Sequence, residues 1–600
     1  MCDDKTKGDK SILIMNHTLA HILAYSLQKL FPSIKLYIGP ATEEGFYYDF
    51  KVPNISVSVD DFDDIKKEMI KIIDLDLKIS RSETSFVDSI KGLDDEKGEY
   101  KKVILNEIVG KDAVVSSYKM GDFVDICEGP HLSSTGSASK HFYIDTISGA
   151  YIRGDSKRDM LQRISVISLG NEKKLKVFLK NRELARQADH RLLNKELDLF
   201  VLEPNIIGPG LAMLTENGTV IKSELEFLAT EKERRFNLLR VFTPHIAKEK
   251  LFLKSGHLPY YKEDMYPPFK IDDEDIYLKA MNCPLHHYIF SRHNRSYREM
   301  PIRYTEFSTV YRYEASGSLS GLMRVRAITQ NDIHIYSRED QVVEEFRKII
   351  QLHKEYYNLL GIKSEDFFLE LSLPDDNKDK FIEDDSEWKK TAEFIREAVK
   401  LENIEFKEVQ GEAAFYGPKA DFQVKSAIGT VYAISTSQVD FAGTKRFDLT
   451  FVNDKGENEK VYVIHAAPLG SYERTIGFLT EHFVGAFPLW LAPIQVVVMA
   501  VSDKFQSYLN NVFAMVSVEF VNNATRGIRC NIDKSDERLA KKIRNSTRQK
   551  VPYIVVVGEN EEKSNTVSVR TRGSNKSVSM PLEKFVQMIK SKIESRDINL

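Results

Sequence analysis

Four arginines lie on or beside a predicted hairpin, and they are Arg303, Arg312, Arg324 and Arg326. The segment reads as two strands, YTEFSTVYRY and MRVRAIT, joined by the loop ASGSLSG. Because a guanidinium fork grips carboxylates and phosphates through two oxygens at once, several on one sheet predict an anionic ligand such as a nucleoside triphosphate. The ladder also carries Glu306, Glu314, Gln330, Asp332 and His334. A solvated hairpin held by ion pairs is the alternative, but this mixture of side chains favours a site.

A second group of reactive side chains lies near the N-terminus. His17 and His21 are four residues apart and share one face of a predicted helix. The later segment FVDICEGPHL adds Asp125, Cys127 and His131. Two histidines and a Cys-x-x-x-His pattern are typical of a zinc site, or of a metal-free pocket in which histidines move protons and orient water. Two unrelated pairs of partly buried histidines are a third interpretation.

A third group is scattered through strand-like segments of the central chain: Cys283, His334 and His465. Their spacing follows no zinc-finger-type motif and would not by itself pair them, so three unrelated residues are the default interpretation. If the fold brought them together, they would form a Cys-His-His zinc site with an open fourth position, which is the catalytic pattern.

Phosphate binding could also involve Arg474, which lies in the first turn of the predicted helix YERTIGFLTEHF, beside free backbone amides. The sequence contains neither a P-loop nor a GxGxxG fingerprint. Any ATP site is therefore expected on an antiparallel sheet.

Composition indicates a multidomain globular protein. The chain has 600 residues, 42% of them hydrophobic and 29% charged, and a net charge of −4, which suggests three or four domains. Its four cysteines are too few for a disulfide framework, and its polar start lacks a signal-peptide pattern, so we expect a cytoplasmic protein with no membrane partner. Residues 525–600 carry 17 Lys+Arg against 9 Asp+Glu, a net of +8. This basic segment suggests contact with a polyanion, although a solvated helix would explain it equally well.

The predicted order of elements begins with the helix MNHTLAHILAYSLQKLF. Asn16 is its expected N-cap, and Leu19, Ile22, Leu23, Leu27 and Leu30 form its expected buried stripe. The segment 171–197 has many charges and no Gly or Pro, which predicts one long exposed linker helix. Further helices are predicted at Ser223–Arg240 and Tyr472–Phe483. After Pro493, alternating strands and helices predict a small α/β domain.

These segments together resemble the threonyl-tRNA synthetases, a family of class II aminoacyl-tRNA synthetases, from about Met15 to the C-terminus. YRYEASGS matches the Arg-x-Glu loop of class II motif 2, LGSYERTIGF matches motif 3, and the helix from Ser223 with the strand ending at Pro244 matches motif 1. LKSGHL, MNCP, FYGPK, HTLAH and DICEGPH are specific to the family. About ten residues precede the editing segment, so we expect the family's ubiquitin-like N-terminal domain to be absent.

The resemblance implies a multidomain α+β fold with a class II antiparallel sheet core. The expected domains are an N-terminal α+β editing domain (1–170), a linker helix (171–197), the catalytic domain (198–491) and a C-terminal α/β anticodon-binding domain (492–600). A homodimer is implied by motif 1 alone.

The resemblance also implies roles for individual residues. ATP would be held by Arg312, Glu314, Arg324, Ile328 and Arg474. Threonine and the reacting groups would be surrounded by His257, Gln330, Asp332, Tyr416 and Lys419. One zinc ion per subunit would be bound by Cys283, His334 and His465. The editing pocket, for which the resemblance favours a metal-free site, would comprise His17, His21, Tyr48, Lys101, Asp125, Cys127 and His131. Anticodon bases would contact Glu561 and Arg570.

Five positions depart from the family pattern. Ile328 stands where the family usually has an aromatic that stacks on adenine, which predicts weaker ATP binding. Ala433 and Ala466 replace a usual Gln and Arg, and Asp536 and Arg538 replace an Asn and a Lys of the anticodon loop.

The implied function is ATP- and Mg²⁺-dependent ligation of L-threonine to tRNA(Thr) through a threonyl-adenylate, with hydrolysis of mischarged seryl-tRNA(Thr). An RNA-binding regulator on a synthetase scaffold with impaired catalysis is the alternative. The motif arginines and the expected zinc ligands are all present, which favours the active enzyme.

Overall fold

The protein is represented by a computed structural model that describes residues 3–42, 44–93, 98–108, 114–155, 157–375, 384–426, 429–518 and 527–600. It forms two compact units, Met1–Glu183 and Leu184–Leu600. No described helix is long and apolar enough to cross a membrane.

The first unit packs helices on two antiparallel sheets. Its helices are α1 (Asp3–Leu30), α2 (Phe62–Asp74), α3 (Phe86–Lys91) and α4 (Glu99–Ile108), and α5 (Glu172–Gln187) leads out of the unit. Its strands are β1 (Lys35–Leu36), β2 (Ala41–Thr42), β3 (Gly45–Lys51), β4 (Ile79–Ser85), β5 (Val114–Met120), β6 (Phe123–Ile126), β7 (Phe142–Tyr151) and β8 (Met160–Ser168). One sheet has the order β1-β3-β8-β7, with β2 on β3, and the other has the order β4-β5-β6.

Helix α1 differs from the prediction in two ways. Asn16 is not an N-cap, because the helix begins well before it; its buried side chain instead donates to the carbonyls of Thr42 and Ser168, at 3.0 and 3.3 Å. Leu19, Ile22 and Leu27 are fully buried as predicted, but Leu30 is 37% exposed at the end of the helix. The apolar face therefore stops one turn earlier than the sequence pattern.

The second unit is built on an eight-stranded sheet. Its helices before residue 490 are α6 (His190–Leu197), α7 (Glu216–Arg235), α8 (Glu249–Ser255), α9 (His257–Tyr260), α10 (Cys283–Ser291), α11 (Val342–Leu359), α12 (Asp385–Leu401), α13 (Ala442–Phe447) and α14 (Tyr472–His482). The strands are β9 (Phe200–Val201), β10 (Met213–Leu214), β11 (Leu239–Arg240), β12 (Ile246–Lys248), β13 (Phe269–Ile271), β14 (Glu274–Leu278), β15 (Arg295–Ser296), β16 (Ile302–Tyr311), β17 (Ala327–Ser337), β18 (Phe367–Leu373), β19 (Phe406–Gln410), β20 (Lys419–Lys425), β21 (Val431–Asp440), β22 (Thr450–Val452), β23 (Asn458–Lys460) and β24 (Tyr462–Ala467). The large sheet has the order β11-β16-β17-β24-β21-β20-β18-β19 and is antiparallel except at its two edge pairs.

The hairpin predicted between Arg303 and Ser337 is present as β16 and β17, which pair from Ile302↔Tyr336 to Tyr311↔Ala327. Its second strand begins at Ala327, so the segment MRVR belongs to the loop rather than to the strand. Arg303 forms a two-pronged ion pair with Glu345 of α11, at 2.6 and 2.8 Å. For this arginine the ion-pair interpretation is correct. Arg312, Arg324 and Arg326 instead lie in the loop that connects β16 to β17.

Three predicted helices have different bounds. The helix expected at Ser223–Arg240 is α7, which ends at Arg235 so that Leu239–Arg240 can form edge strand β11. The predicted single linker helix is two helices, α5 and α6. The break falls at Asp189, whose side chain caps α6 by accepting from the amide of Arg191. Helix α14 matches its prediction except that it ends at His482.

The C-terminal segment has the predicted mixed α/β architecture. Its strands are β25 (Val496–Ala500), β26 (Cys530–Ile532), β27 (Tyr553–Val557), β28 (Thr566–Thr571) and β29 (Ser577–Pro581), and its helices are α15 (Gln506–Val518), α16 (Leu539–Arg548), α17 (Glu559–Ser564) and α18 (Leu582–Glu594). The sheet order is β26-β25-β27-β28-β29, with β25 parallel to both of its neighbours. The core of this segment is largely β-branched, because its parallel strands are covered by helices.

Candidate functional site

The scattered residues Cys283, His334 and His465 converge in the second unit. His334 on β17 lies directly opposite His465 on β24, and Cys283 begins α10 above the same sheet. One potential ligand atom from each lies within 4.8 Å of the others, and all three residues are buried. Strand register therefore joins residues that are more than 100 positions apart in sequence.

The surroundings of His334 suit a metal ligand. Its Nε2 is buried and has no hydrogen-bond partner, while its Nδ1 lies 2.9 Å from Nδ1 of His286. On the other histidine, Nε2 of His465 lies 3.1 Å from Asp440, whose carboxylate also accepts from the amides of Ala442 and Gly443. An unpartnered imidazole nitrogen is costly in a buried site unless something binds it.

The thiol of Cys283 completes the donor set. Burial raises its pKa well above the ordinary value, and the nearby carboxylates of Asp332 and Asp440 raise the pKa further. A bound dication would reverse this effect, because a coordinating thiol is deprotonated outright. One sulfur and two imidazoles match the ligands that zinc prefers, with three protein donors leaving a fourth position for substrate.

The remaining motif arginines lie around the loop between β16 and β17. Arg474, in the first turn of α14, donates from Nε to the Met323 carbonyl and from Nη1 to the Ala433 carbonyl, both at 2.9 Å. Arg324 binds Glu314, with Nε 2.8 Å from Oε2. Nε of Arg312 is buried without a hydrogen-bond partner. The structure thus brings the predicted phosphate-binding arginines together, from the hairpin loop and from α14, at the end of the hairpin that also carries His334.

The residues predicted to surround the bound amino acid differ in their contacts within the protein. Asp332 accepts from Asn282 at 2.8 Å, and burial raises its pKa. Tyr416 donates to Gln438 at 2.5 Å, and its ring lies 5.3 Å from that of His465. Tyr416 and Cys283 line the same small pocket as His257. Asp332, Tyr416 and His257 therefore adjoin the metal-ligand triad.

His257 is a buried neutral imidazole. Its Nδ1 is 2.8 Å from Ser255 Oγ, and its Nε2 has no hydrogen-bond partner. Burial lowers its pKa to about 4, and Arg312 contributes to the shift. Two further predicted residues have fixed partners: Lys419 is paired with Asp421 at 2.8 Å, and Gln330 forms an isolated backbone bridge with Ser471, the N-cap of α14.

Six of the seven predicted editing residues line one cavity of about 760 Å³ in the first unit. The seventh, His131, does not line the cavity, but its side chain contacts His17 and Cys127. Cys127 Sγ lies 3.1 Å from Nε2 of His17 and 3.3 Å from Nε2 of His131. Ligand atoms of His17, His21, Cys127 and His131 all lie within 4.8 Å of one another. Geometry alone therefore leaves both the metal-bound and the metal-free interpretation open.

Burial keeps these histidines neutral. It lowers the pKa of His21 to about 4 and that of His131 to about 2, and it raises the pKa of the Cys127 thiol to about 11. Beside them, Asp125 accepts from Lys101 and Tyr48, both at 2.6 Å, and Lys101 donates to Tyr48 at 3.0 Å. Neutral imidazoles next to a buried ion pair can take up a proton and orient a water molecule.

The two predicted anticodon-contact residues lie on adjacent elements of the C-terminal segment. Glu561 is on α17 and Arg570 is on β28, where it donates to the Ser574 carbonyl and to Asn575, both at 3.1 Å. Of the positions that depart from the family pattern, Ile328 is half-buried opposite Val310 on the hairpin. Ala433 contacts Arg474 through its carbonyl, and Ala466 is buried.

Several residues of the site were not predicted. His286 and Asp440 adjoin the ligand triad, and of these two only His286 had a sequence signal, since it lies three residues after Cys283 on one helix face. Glu306, which the hairpin pattern did indicate, lies 2.9 Å from Nε2 of His286. His190 was also missed: its Nδ1 is 2.7 Å from Glu481, and its Nε2 accepts from the amide of Leu322 at 3.0 Å. Both nitrogens of His190 are occupied, so this third cluster of potential ligands, completed by Asp189, is a structural junction rather than a metal site.

Comparisons with known proteins agree with this geometry. Residues 268–483 match the "tRNA synthetase class II core domain (G, H, P, S and T)", residues 495–592 the "Anticodon binding domain", and residues 115–165 the "Threonyl and Alanyl tRNA synthetase second additional domain". The "Threonine--tRNA ligase" of Sulfurihydrogenibium sp. is 39% identical over 99% of this chain and 90% of its own length. That of Aquifex aeolicus is 40% identical over 98% of this chain and 91% of its own length.

Solved structures give the same result. The "RNA binding domain of Threonyl-tRNA synthetase" from Cryptosporidium parvum aligns with a TM-score of 0.62 at 32% identity, covering 67% of this chain and 98% of that one. A "putative threonyl-tRNA synthetase" from Aeropyrum pernix aligns with a TM-score of 0.58 at 29% identity, covering 68% and 96%. The resemblance and the fold class inferred from the sequence are confirmed, and the chain belongs to the threonyl-tRNA synthetase family.

Proposed function

We propose that this chain ligates L-threonine to tRNA(Thr) with ATP and removes serine from mischarged seryl-tRNA(Thr). The observation that carries the proposal is that the Cys283–His334–His465 triad adjoins the arginine cluster on one antiparallel sheet of a threonyl-tRNA synthetase. An RNA-binding regulator with impaired catalysis is not favoured, because the chain matches threonine–tRNA ligases over nearly its full length.

Zinc at the triad would account for the choice of amino acid. Threonine and valine are nearly isosteric, so an apolar pocket separates them poorly. Zinc held by these three residues would act as a Lewis acid toward both the amino group and the hydroxyl of threonine, and valine has no hydroxyl to offer. Support comes from the buried, unpartnered Nε2 of His334 and from a donor set of one thiol and two imidazoles.

For activation, we propose that Arg312 and Arg474 hold the ATP phosphates and that Glu314 reads adenine, with Arg324 nearby and Ile328 against the base. The threonine carboxylate oxygen attacks the α-phosphorus in line, the bond from that phosphorus to the bridging oxygen breaks, and pyrophosphate leaves as the threonyl-adenylate forms. The arginines would offset the charge that develops on the phosphates, and bound Mg²⁺ would supply further charge neutralisation. Asp332, Gln330 and Tyr416 orient threonine, and Lys419 and His257 lie near the reacting groups. The unpartnered atoms Arg312 Nε and His257 Nε2 support binding of a ligand at these positions.

A second site is needed for serine. Serine keeps the hydroxyl and lacks one methyl group, which gives only about 1–3 kcal/mol of discrimination. We propose that the cavity lined by His17, His21 and Cys127 hydrolyses seryl-tRNA through a positioned water molecule, without a metal. The wide cavity and the Asp125–Lys101–Tyr48 cluster support this role.

We further propose that tRNA contacts the C-terminal segment, where Glu561 and Arg570 would meet anticodon bases. The basic helix α16, LAKKIRNSTR, is an electrostatic match for the phosphate backbone. A cytoplasmic location is also part of the proposal, and the free thiols of Cys127, Cys283 and Cys530 fit a reducing compartment.

We propose a homodimer through the elements of motif 1. Large apolar side chains are exposed on β9, β10, α7 and β11 and on the loops beside them: Val201, Ile206, Ile207, Met213, Phe227, Leu239 and Phe242. β11 is the edge strand of the large sheet, and exposed apolar edges mark interaction sites. Sedimentation of wild type and of a Phe242→Glu variant would test this, with a monomeric variant expected.

The decisive experiment for the main function is amino-acid-dependent ATP–pyrophosphate exchange with threonine, serine and valine. We expect strong exchange with threonine, weaker exchange with serine and little with valine. No threonine-dependent exchange by the zinc-loaded protein would refute the proposed activity and return the regulator to consideration.

A further inference from the structure

We propose that His286 and Glu306 form a hydrogen-bond relay that holds His334 in the tautomer able to bind a metal ion through Nε2. The inference rests on the proposed function, because it assumes that the triad binds zinc. His286 and Glu306 would be positioning residues, since they act on the ion only through His334.

The three side chains form one continuous chain beneath the triad. His286 Nε2 lies 2.9 Å from Glu306 Oε2, and His286 Nδ1 lies 2.9 Å from His334 Nδ1. The residues are 0%, 1% and 1% exposed, in the order His286, Glu306, His334, so bulk water is excluded as a competing partner.

Glu306 determines which nitrogen of each histidine carries a proton, because the groups around its carboxylate are almost entirely hydrogen-bond donors. Its carboxylate accepts from the Thr243 amide at 2.7 Å and from the Thr243 hydroxyl at 2.9 Å, and the ammonium of Lys279 lies 3.8 Å away. Lys279 is itself held by Thr243 and Ser308, at 2.9 and 2.6 Å. A carboxylate in this setting is an acceptor only.

The positions of the protons follow in sequence. Glu306 accepts from His286, so Nε2 of His286 carries the proton and its Nδ1 has a free lone pair. That lone pair accepts from Nδ1–H of His334, which leaves Nε2 of His334 unprotonated. This is the buried nitrogen that has no hydrogen-bond partner within the protein. The opposite tautomer would direct an N–H at the cation and leave two lone pairs facing each other between the histidines.

Two consequences are expected when the relay is intact. The His334 ring is locked before the metal binds, so less entropy is lost on binding. Hydrogen bonding at Nδ1 also raises the basicity of Nε2. Loss of such outer partners typically reduces metal affinity by about 10- to 100-fold.

Two substitutions of His286 distinguish an effect of the hydrogen-bond relay from an effect of side-chain packing. In His286→Gln, an amide oxygen can accept from His334 and an amide N–H can donate to Glu306, so the polarity of the relay is kept. In His286→Met the volume is similar, but neither bond can form. We expect zinc transfer from full-length His286→Met to a chromogenic chelator to be about 10- to 100-fold faster than from wild type. We expect His286→Gln to stay within a few-fold of wild type, and His286→Met to raise KM for threonine but not for ATP.

His353→Gln is the matched control. His353 is also fully buried with both nitrogens hydrogen-bonded, to Ser435 and Ser437, but it contacts the opposite face of the same sheet. Its zinc release should match that of wild type. Equal zinc release from His286→Met and wild type would overturn the inference, and so would equal acceleration by the Met and Gln variants, because that result would indicate packing. Wild-type protein that binds no zinc would instead refute the metal site in the proposed function, and the relay with it.

Discussion

Lys101→Met is expected to destabilise the first unit because it leaves a carboxylate buried without its cation. Lys101 Nζ lies 2.6 Å from Asp125 Oδ1, and the two side chains are 9% and 4% exposed. At this separation and an effective dielectric constant of about 20, the attraction is roughly 6 kcal/mol, and desolvation of both groups offsets most of it. Removing one partner of such a pair typically costs about 3–5 kcal/mol.

The effect should depend on pH with a defined sign. Burial alone would raise the pKa of Asp125, but Lys101 and His21 outweigh burial and hold the pKa below its ordinary value. In wild type the stabilisation from Asp125 is therefore present above its unfolded pKa and is lost as the pH falls through the lowered folded pKa. Without Lys101, burial dominates and the pKa should lie above its ordinary value. The penalty of Lys101→Met should then be largest at neutral pH and shrink as the pH falls through that raised pKa.

Amide hydrogen exchange read by mass spectrometry suits this test, because a multidomain chain need not unfold in two states. Protection of β3 and β6, which carry Tyr48 and Asp125, would report the local opening free energy. Lys119→Met, which removes an exposed lysine on β5, is the control. The double variant Lys101→Met/Asp125→Asn should recover much of the lost protection. A double variant as unstable as Lys101→Met, or a penalty that does not change with pH, would refute the reasoning.

Three further variants test the catalytic and editing sites. Ile328→Phe should tighten ATP binding by about 1–3 kcal/mol through a base–aromatic stack; an unchanged KM for ATP in the exchange assay would contradict this. Cys283→Ser should lose bound zinc because the thiolate donor is gone, and metal analysis showing unchanged zinc content would disprove the ligand assignment. His17→Ala/His21→Ala should accumulate seryl-tRNA(Thr) while keeping threonine activation, since the two sites have separate residues; clean aminoacylation in the presence of serine would argue against the editing role.

Local patterns in the sequence were sufficient for the main elements. Alternating β-branched and aromatic residues predicted the hairpin β16–β17, and the strand and helix rhythm after Pro493 predicted the C-terminal α/β segment. These signals succeed because they depend on neighbouring residues only. Element ends were less accurate: α7 stops at Arg235 because the chain must turn to form an edge strand, and β17 starts after MRVR because that segment turns before pairing.

The sequence by itself also determined the family, since its motifs are short contiguous segments that can be recognised without knowing which distant residues lie beside them. Only the tertiary structure decided which distant residues meet. Pairing of β17 with β24 places His334 opposite His465, and the position of α10 adds Cys283. The same packing decided that Arg303 is an ion-pair partner of Glu345 and that Asn16 binds strand carbonyls instead of capping α1. Strand register and burial are properties of the whole sheet. They determine that Nε2 of His334, and not Nδ1, lacks a hydrogen-bond partner, and no spacing in the sequence could show this.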